Sequence, residues 1–173
     1  MFRRVKGEDS GNTEREGGPL SGSTTAAAQQ PAIRLVRHRA GAPGLRWRPD
    51  RLRQLQALLD AHSFWAQGRP RAQLRRMLAG SQAVVTAWRG RRLVGFGRAS
   101  SDGVYRAVLW DVVVAADEQG QGLGRRLVET LLSDTAIAGI ERIYLMTTNS
   151  AGFYRQLGFE TISDQKLMLR KRA

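Results

Sequence analysis

The sequence predicts a mixed α/β (α+β) domain, with a mostly antiparallel sheet flanked by about four helices. Between residues 49 and 78, apolar side chains recur with helical spacing. From residue 83 to 115, three apolar segments are separated by short turns, as in antiparallel strands. Another helical segment then precedes a further apolar strand, and strands joined through a helix usually pair in parallel. We therefore expect a mixed sheet.

The early part of the chain predicts one strand and two helices. Ala32–His38 has the composition of a short strand, with Ile33 and Leu35 on one face. A Gly/Pro-rich link follows. Pro49–His62 places its leucines on one stripe of a helix, and Pro70–Leu78 predicts a second helix with the proline in its first turn.

The later part predicts a hairpin and then alternating strands and helices. Ala83–Trp88 and Leu93–Ser100 flank an Arg-Gly-Arg-Arg turn, and Tyr105–Ala115 is the longest strand candidate. A Gly-rich run, DEQGQGLG, then opens a clear helix. The remaining predicted elements are a strand at Ile140–Thr147, a helix at Ser150–Leu157 and a closing strand or hairpin at Phe159–Leu169.

Length and composition limit the possible functions. The 173 residues suit one domain, and 42% hydrophobic residues with 25% charged residues exclude a fully disordered, collagen-like or coiled-coil chain. The chain has no cysteine and two histidines, so disulfides, a thiol nucleophile and Cys- or multi-His metal sites are excluded.

The N-terminal segment differs from the rest. Residues 1–30 are poor in large apolar side chains, so we expect a disordered tail before a folded domain at 31–173. No apolar stretch approaches the length of about 20 residues that spans a bilayer, and the N-terminus lacks the apolar run of a signal peptide. We expect a cytoplasmic protein without a membrane partner.

The positive charge is concentrated in one region. The net charge is +13, and residues 31–110 carry all of it, with sixteen basic and three acidic side chains. Such a block is typical of proteins with an anionic partner, but an arginine-rich composition can also come from a GC-rich coding genome. Trp47, between Arg46 and Arg48, is the one aromatic interleaved with arginine, so we do not expect a nucleic-acid partner.

The run from Gln119 to Gly124 has the features of a phosphate-binding turn. Backbone N–H groups at a helix N-terminus attract anions, and glycines let a diphosphate approach the backbone. Arg125 adds charge. No Gly-Lys-Ser/Thr is present, and the run comes too late for a dinucleotide fold, which excludes two familiar phosphate loops. The alternative is an ordinary turn.

A second motif follows about 30 residues later. Helical spacing places Asn149, Phe153 and Leu157 on one stripe, with Tyr154 beside them and Gly158 as a C-terminal cap. The alternative is a short packed helix whose aromatic side chains belong to the core.

These two motifs, Q-x-x-G-x-G after a Val-rich strand and then N-x-x-x-x-Y-x-x-x-G-F, resemble the GNAT superfamily of acyl-CoA-dependent N-acetyltransferases over about residues 32–170. LWDVVVAADEQGQGLGRRLVE and FYRQLGFE are similar to its cyanobacterial and plastid branch. That branch includes plant chloroplast enzymes that acetylate serotonin and protein amino groups.

The resemblance implies a sheet that splays between its fourth and fifth strands, with acetyl-CoA in the gap. The backbone of Val112, Val113 and Val114 would bind the thioester carbonyl and the pantetheine arm. Asn149 and Phe153 would also contact that arm. The implied residues of the pyrophosphate site are Gly120, Gln121, Gly122, Leu123, Gly124 and Arg125. Gln119, which precedes them, is also expected to be a cofactor-binding residue. Tyr154 matches the general acid of the family, and no metal is needed.

The general base is left open. Asp111 could deprotonate the amine through water, or it could be a structural residue held by backbone donors. Other relatives place a base where this chain has Val108 or Trp110. Phe64 and Trp65 could line an aromatic acceptor pocket or belong to the core.

The resemblance therefore implies an N-acetyltransferase that transfers acetyl from acetyl-CoA to a primary amine by direct attack in a ternary complex. The acceptor would be an arylalkylamine such as serotonin or a protein amino group, and a homodimer is left open. The alternatives are a nucleic-acid- or ribosome-associated module and a non-catalytic acyl-CoA sensor.

Overall fold

The computed structural model describes residues 30–171, so the predicted tail lies outside the described residues apart from Gln30. Five strands and five α-helices are present in the described part. In chain order they are β1 (Ile33–His38), α1 (Pro43–Arg46), α2 (Pro49–His62), α3 (Arg71–Ala79), β2 (Ala83–Arg89), β3 (Arg92–Ser101), β4 (Arg106–Val114), α4 (Leu123–Leu132), β5 (Arg142–Tyr144) and α5 (Ala151–Arg155).

The strands form one sheet in the order β1-β2-β3-β4-β5. The first four strands pair antiparallel, and β4 pairs with β5 in parallel across α4. This mixed sheet confirms the predicted fold class. The parallel pair exists because a helix connects the two strands, so the chain returns to the same end of the sheet.

Helices cover both faces of the sheet. α1, α2 and α3 pack against one another, whereas α4 contacts β2, β3 and β4. Two glycines of β3 allow α4 to come close. A Cβ added at Gly95 would lie 2.8 Å from Leu127 Cδ1, and one at Gly97 would lie 2.9 Å from Leu131 Cδ1. Both leucines are fully buried, so any side chain at these glycines would displace α4 from the core.

A β-bulge interrupts β4 at the centre of the sheet. Phe96 pairs with Val113 and Arg98 pairs with Trp110, so Gly97 alone stands opposite two residues of β4, Asp111 and Val112. Asp111 has a φ of 51°, the left-handed region that a non-glycine residue rarely adopts. A bulge of this kind bends its strand and changes which side chains face each side of the sheet.

Three predicted elements differ from the structure. α1 lies within the predicted Gly/Pro-rich link, and Pro43 begins it because a proline is tolerated in a first helical turn. β5 has three residues instead of the eight in Ile140–Thr147. The predicted closing strand at Phe159–Leu169 is wrong: this segment forms no strand. It makes no ladder with the sheet, and Leu167, Met168 and Leu169 are at least 79% exposed.

Candidate functional site

A gap opens where β4 and β5 separate. The two strands pair only over Arg106–Val108, although β4 continues to Val114. Within residues 30–171 no other strand pairs with that edge of β4. The edge therefore offers backbone N–H and C=O groups to a ligand, as an exposed strand edge can do. Val112 and Val114 are half-buried here, and Val113 is buried.

The Gly-rich turn lies at the end of β4. A short 3-10 turn at Ala116–Glu118 leads into it, and α4 begins at Leu123 with Gly122 as its N-cap. Gly120 and Gly122 have φ values of 75° and 76°, and a Cβ at either position would meet no protein atom within 4 Å. Glycine is thus required by the backbone conformation, and the space beside the backbone is open.

The N-terminus of α4 has free donors. The first helical hydrogen bond that reaches back to Gly122 comes from the Arg126 N–H, so the preceding N–H groups have no acceptor within the helix. These donors, the positive end of the helix dipole and Arg125 together suit a phosphate. Gln121 is exposed, and the side chain of Leu123 is buried in the core, so only its backbone can take part.

Two ion pairs hold the turn against the β2–β3 hairpin. Arg89 donates to Glu118 through Nε–Oε1 and Nη2–Oε2 contacts of 2.5 Å each, and Glu118 is 2% exposed. Arg92 donates to Asp117 at 2.6 and 2.8 Å. Hydrogen bonds from these guanidinium groups hold the pKa of both carboxyls below the usual range. Neither ion pair was predicted from the sequence, although the opposite charges of the β2–β3 hairpin and of Asp117 and Glu118 are a usable signal.

The end of β4 is capped by the turn itself. Gln119 Nε2 donates to the Val114 carbonyl at 3.0 Å. This contact joins the last residue of the strand to the first residue of the motif. The Gln119 side chain therefore shapes the turn rather than lying free beside it.

α5 closes the other side of the gap. Phe153 Cζ lies 3.5 Å from the position of a Cβ on Gly124, and Val114 Cγ2 lies 3.9 Å from it. Arg125 donates to the carbonyl and side-chain oxygens of Gln156 at 3.4 and 3.3 Å. The structure thus brings the end of β4, the first turn of α4 and α5 together, which the sequence motifs alone could not show.

Tyr154 follows Phe153 and lies half-buried between two aromatic rings. Its ring centroid is 4.9 Å from that of Phe153 and 5.8 Å from that of Phe159. Burial raises the pKa of its phenol, so the hydroxyl keeps its proton at neutral pH. Gly158, with a φ of 85°, ends the segment, and the Phe159 N–H bonds back to the Tyr154 carbonyl at 3.1 Å. This is the predicted glycine cap.

Asn149 is exposed in the loop after β5, where its Oδ1 accepts a hydrogen bond from Ser150 Oγ at 3.3 Å. It precedes α5 by two residues and has no described hydrogen bond to the Gly-rich turn. Asn149 is therefore close to α5 in the sequence, but no described hydrogen bond links it to the Gly-rich turn.

Asp111 lies at the bulge, with a side chain only 4% exposed. Its carboxylate accepts hydrogen bonds from Arg98 Nε at 2.8 Å, Arg69 Nη1 at 3.2 Å and Trp65 Nε1 at 3.3 Å. All three donors are side chains, whereas the structural alternative expected backbone donors. Arg69 and Arg98 could not be identified from the sequence as partners of Asp111. Their contacts depend on the bulge, which decides the direction of the Asp111 side chain.

Two groups of aromatic side chains lie near the partners of Asp111. Phe64 and Trp65 are 70% and 49% exposed and form a T-shaped pair at 5.0 Å, so they are surface residues of the loop after α2 and not core. Trp110 donates to Ser100 Oγ at 2.8 Å, and the Arg98 guanidinium lies 5.7 Å from its ring centroid.

His38 lies elsewhere, with Nε2 bonded to Thr86 Oγ1 at 2.8 Å. Within residues 30–171, no group of three or more His, Asp or Glu side chains is placed to hold a metal ion. No helix in the same range has the length and apolar character needed to cross a membrane.

Comparison with known proteins identifies the family. Residues 49–159 match the Acetyltransferase (GNAT) family. Over 104 residues the chain is 44% identical to "Serotonin N-acetyltransferase 2, chloroplastic" of Oryza sativa subsp. japonica, which covers 56% of this chain and 52% of that protein. It is 45% identical over 75 residues to "GCN5-related N-acetyltransferase 1, chloroplastic" of Arabidopsis thaliana, covering 43% and 38% of the two chains. The chain thus spans about half or less of the length of these relatives.

Solved structures agree on the fold. A GNAT family protein from Xanthomonas campestris pv. campestris superimposes with a TM-score of 0.67 at 25% identity, covering 83% of this chain and 95% of that one. A GNAT family acetyltransferase from Streptococcus pneumoniae gives a TM-score of 0.64 at 22% identity, with coverage of 82% and 100%. Since the family match alone spans more than half of the sequence, and the site has the splayed strands and glycine turn expected from it, this chain belongs to the acetyltransferase (GNAT) family.

Proposed function

We propose that this protein is an acetyl-CoA-dependent N-acetyltransferase that acetylates a primary amine by direct attack within a ternary complex. One observation carries the proposal: Phe153 of α5 and Val114 of β4 both lie within 4 Å of the Cβ position of Gly124. The unpaired edge of β4, the glycine turn and the helix of Tyr154 therefore meet at one gap. Family membership and the named relatives support the same activity.

The residues around the gap fit acetyl-CoA, the co-substrate of the GNAT family. The open space beside Gly120 and Gly122 and the free N–H groups of α4 would accept the pyrophosphate, with Arg125 beside it. The edge at Val112–Val114 would pair with the pantetheine arm as an added strand. Phe153 and Asn149 would contact the same arm.

Bound acetyl-CoA supplies an acetyl thioester as the acyl donor. Free N–H groups on the β4 edge can donate to the carbonyl oxygen, on which negative charge develops during attack by a neutral amine. The Tyr154 hydroxyl can give its proton to the leaving thiolate, because a phenol with an ordinary pKa of about 10 is protonated at neutral pH and burial raises that pKa further. The attacking nitrogen loses one proton to water as the amide forms, and water returns a proton to the Tyr154 phenolate, so the protons balance. No covalent enzyme intermediate is required, in accord with a chain that has no cysteine.

We propose that the acceptor is an arylalkylamine such as serotonin or a protein amino group. The name of the Oryza relative supports the first. The exposed rings of Phe64 and Trp65, beside Asp111, could contact a flat apolar acceptor. A protein N-terminus remains the second candidate because its amine is also primary and the loop surface is open.

A screen of acceptors tests the proposal. The chain contributes no thiol of its own, so CoA release can be read directly with a thiol reagent, across arylalkylamines, polyamines, amino acids and peptide N-termini. Transfer to at least one amine, with the N-acetyl product confirmed by mass spectrometry, is the expected result. Binding of acetyl-CoA with no transfer would favour a sensor, and nucleic-acid binding without acetyl-CoA binding would favour the basic module.

The bounds of the domain, its compartment and its oligomeric state are also proposals. We place the functional domain at 31–173 and its compartment in the cytoplasm, although two of the relatives bear chloroplastic names. We propose a homodimer, supported by the exposed apolar side chains of Leu167, Met168 and Leu169 near the C-terminus. Light scattering should then give about twice the mass of 19.2 kDa.

A further inference from the structure

The loop between α2 and α3, residues 63–70, has little regular structure, and polar contacts hold it in place. Asp60 Oδ1 accepts from the Gly68 N–H at 2.8 Å, and Gln56 Nε2 donates to the Arg69 carbonyl at 3.0 Å. These contacts tie the loop to α2. Its connection to the sheet is different and runs through Asp111.

Two of the three donors to Asp111 belong to this loop. Trp65 Nε1 and Arg69 Nη1 both bind Oδ1, while Oδ2 takes Arg98 Nε from the neighbouring strand. Arg69 also donates through Nη2 to the Trp65 carbonyl at 3.4 Å. Arg69 therefore hydrogen-bonds the backbone of Trp65 directly. It also donates to the same carboxylate oxygen that accepts from the Trp65 indole.

This arrangement fixes one edge of the indole and leaves the rest accessible. Trp65 is 49% exposed although its N–H is bonded to a carboxylate that is almost fully buried. A side chain held at its polar end while its ring stays open to solvent can act as a preorganised contact surface. The hydrogen bond from Trp65 Nε1 to Asp111 places the polar edge of the ring at the β4 bulge. In the chain, Asp111 directly precedes Val112–Val114, the segment proposed to bind the acyl donor.

The same contacts make Asp111 poorly suited to remove a proton from the amine. Two guanidinium groups and an indole N–H already donate to it, and the side chain is 4% exposed. A general base needs a hydrogen bond to the group it deprotonates, directly or through one water.

We propose that Arg69 and Asp111 are positioning residues that hold the Trp65 ring as one wall of the acceptor pocket, and that they set the preference for aromatic amines without taking part in proton transfer. This inference rests on the proposed N-acetyltransferase function. It deepens that function by naming the residues that select the acceptor.

Arg69→Gln tests the proposal, with tryptamine and butylamine as acceptors. The variant loses the guanidinium that donates to both Asp111 and the Trp65 carbonyl. The KM for tryptamine should rise about tenfold, because the Trp65 ring is then held less firmly in the acceptor pocket. The kcat for both amines and the KM for acetyl-CoA should change less than twofold. Arg71→Gln is the matched control, since Arg71 is exposed and forms no ion pair among the described residues. It should behave as wild type.

Trp65→Phe is the second variant, and it carries the test if Arg69→Gln does not fold. Phenylalanine keeps an aromatic ring but loses the N–H bonded to Asp111, so KM for tryptamine should again rise while KM for butylamine stays constant. The rise in Tm caused by acetyl-CoA shows that each variant is folded.

Asp111→Asn separates positioning from proton transfer. Positioning predicts an acid limb of the pH–kcat/KM profile at the wild-type position and a defect confined to tryptamine. Loss of that limb, with kcat reduced equally for both amines, would establish Asp111 as the base and overturn the proposal. Equal effects of Arg69→Gln on the two amines would also overturn it. Absence of transfer by the wild-type protein would instead refute the proposed function.

Discussion

At the scale of single residues, Tyr154 is the proposed general acid of the transfer. Its phenol is half-buried between Phe153 and Phe159, and burial raises its pKa. The side chain therefore combines a proton that is retained at neutral pH with a position next to the ring that closes the gap.

Replacement of Tyr154 by phenylalanine should keep the aromatic packing and remove the proton donor. We expect kcat and kcat/KM to fall together by about 10²–10⁴, the usual contribution of a positioned general acid. Acetyl-CoA should still raise the Tm of the variant. Steady-state kinetics and thermal shifts measure both effects, and a wild-type rate would reduce Tyr154 to a packing residue.

At the scale of elements, the glycine turn and α4 act as one unit. If the turn binds the pyrophosphate, acetyl-CoA at about 100 times its Kd should stabilise the fold by about 2.7 kcal/mol, or roughly 5–10 °C in Tm. Gly122→Val should remove most of this shift, because its side chain enters the open space and disfavours the φ of 76°. Gly139→Val is the control, since Gly139 has open space but no positive φ. An unchanged shift in Gly122→Val would remove this assignment.

The ion pairs Arg89–Glu118 and Arg92–Asp117 allow a buried and an exposed contact of the glycine turn to be compared. Glu118→Gln leaves the Arg89 guanidinium without its buried carboxylate, which typically costs about 3–5 kcal/mol. We expect a lower Tm and a higher KM for acetyl-CoA, because the turn loses its anchor. Asp117→Asn breaks the neighbouring pair, in which both side chains are more than half exposed, and should lower the Tm much less because solvent screens an exposed ion pair. Equal losses in the two variants would show that the buried pair does not anchor the turn.

At the scale of the whole molecule, His38 links stability to pH. Burial, and secondarily the charge of Arg51, lowers the pKa of its imidazole from 6.5 to about 4. Between these values the unfolded chain binds more protons than the folded protein, so stability falls as pH drops from 6.5 toward 4. Since the ring is partly exposed, we expect a loss of about 1–2 kcal/mol between pH 7 and pH 5.

His38→Gln provides the check on this titration, because glutamine can still bond to Thr86 but cannot take up a proton. Urea unfolding of the variant should vary less between pH 7 and pH 5 than that of the wild type. Glu118 and Asp117, with lowered pKa values, lose their contribution only as pH falls below about 4.5, outside this window. The same slope in both proteins would exclude His38 as the source.

The charge of the whole domain should influence the choice of acceptor. Residues 31–110 carry the net +13, and Arg69 and Arg98 both contact the single carboxylate of Asp111 beside the aromatic loop. Polycations should be repelled, so arylalkylamines and neutral or acidic peptide N-termini should exceed spermidine in kcat/KM. Added salt should narrow the difference. Spermidine as the best acceptor at low salt would show that the charge has no bearing on specificity.

Local patterns were sufficient for much of the fold. The leucine stripe predicted α2 with the bounds that the structure has, Pro49–His62, and Gly158 closes the turn after α5 with the positive φ expected of a glycine cap. The Gly-rich run was also predicted to open a helix, and α4 begins there. Each of these features depends on residues within a few positions of one another, because helix periodicity, caps and tight turns are set by neighbours in the chain.

Other features depend on pairing between distant segments. Asp111 finds its partners 13, 42 and 46 residues away, through a bulge that changes the register of β4. The short length of β5 and the lack of a closing strand also depend on long-range pairing: β5 pairs with β4 over three residues, and the segment after α5 pairs with no strand. The sequence alone therefore determined the order of β1 to β5 and of α2 to α5, the two motifs and the family resemblance. Only the tertiary structure decided what surrounds Asp111, since a bulge and long-range ion pairs form when the sheet and helices pack together.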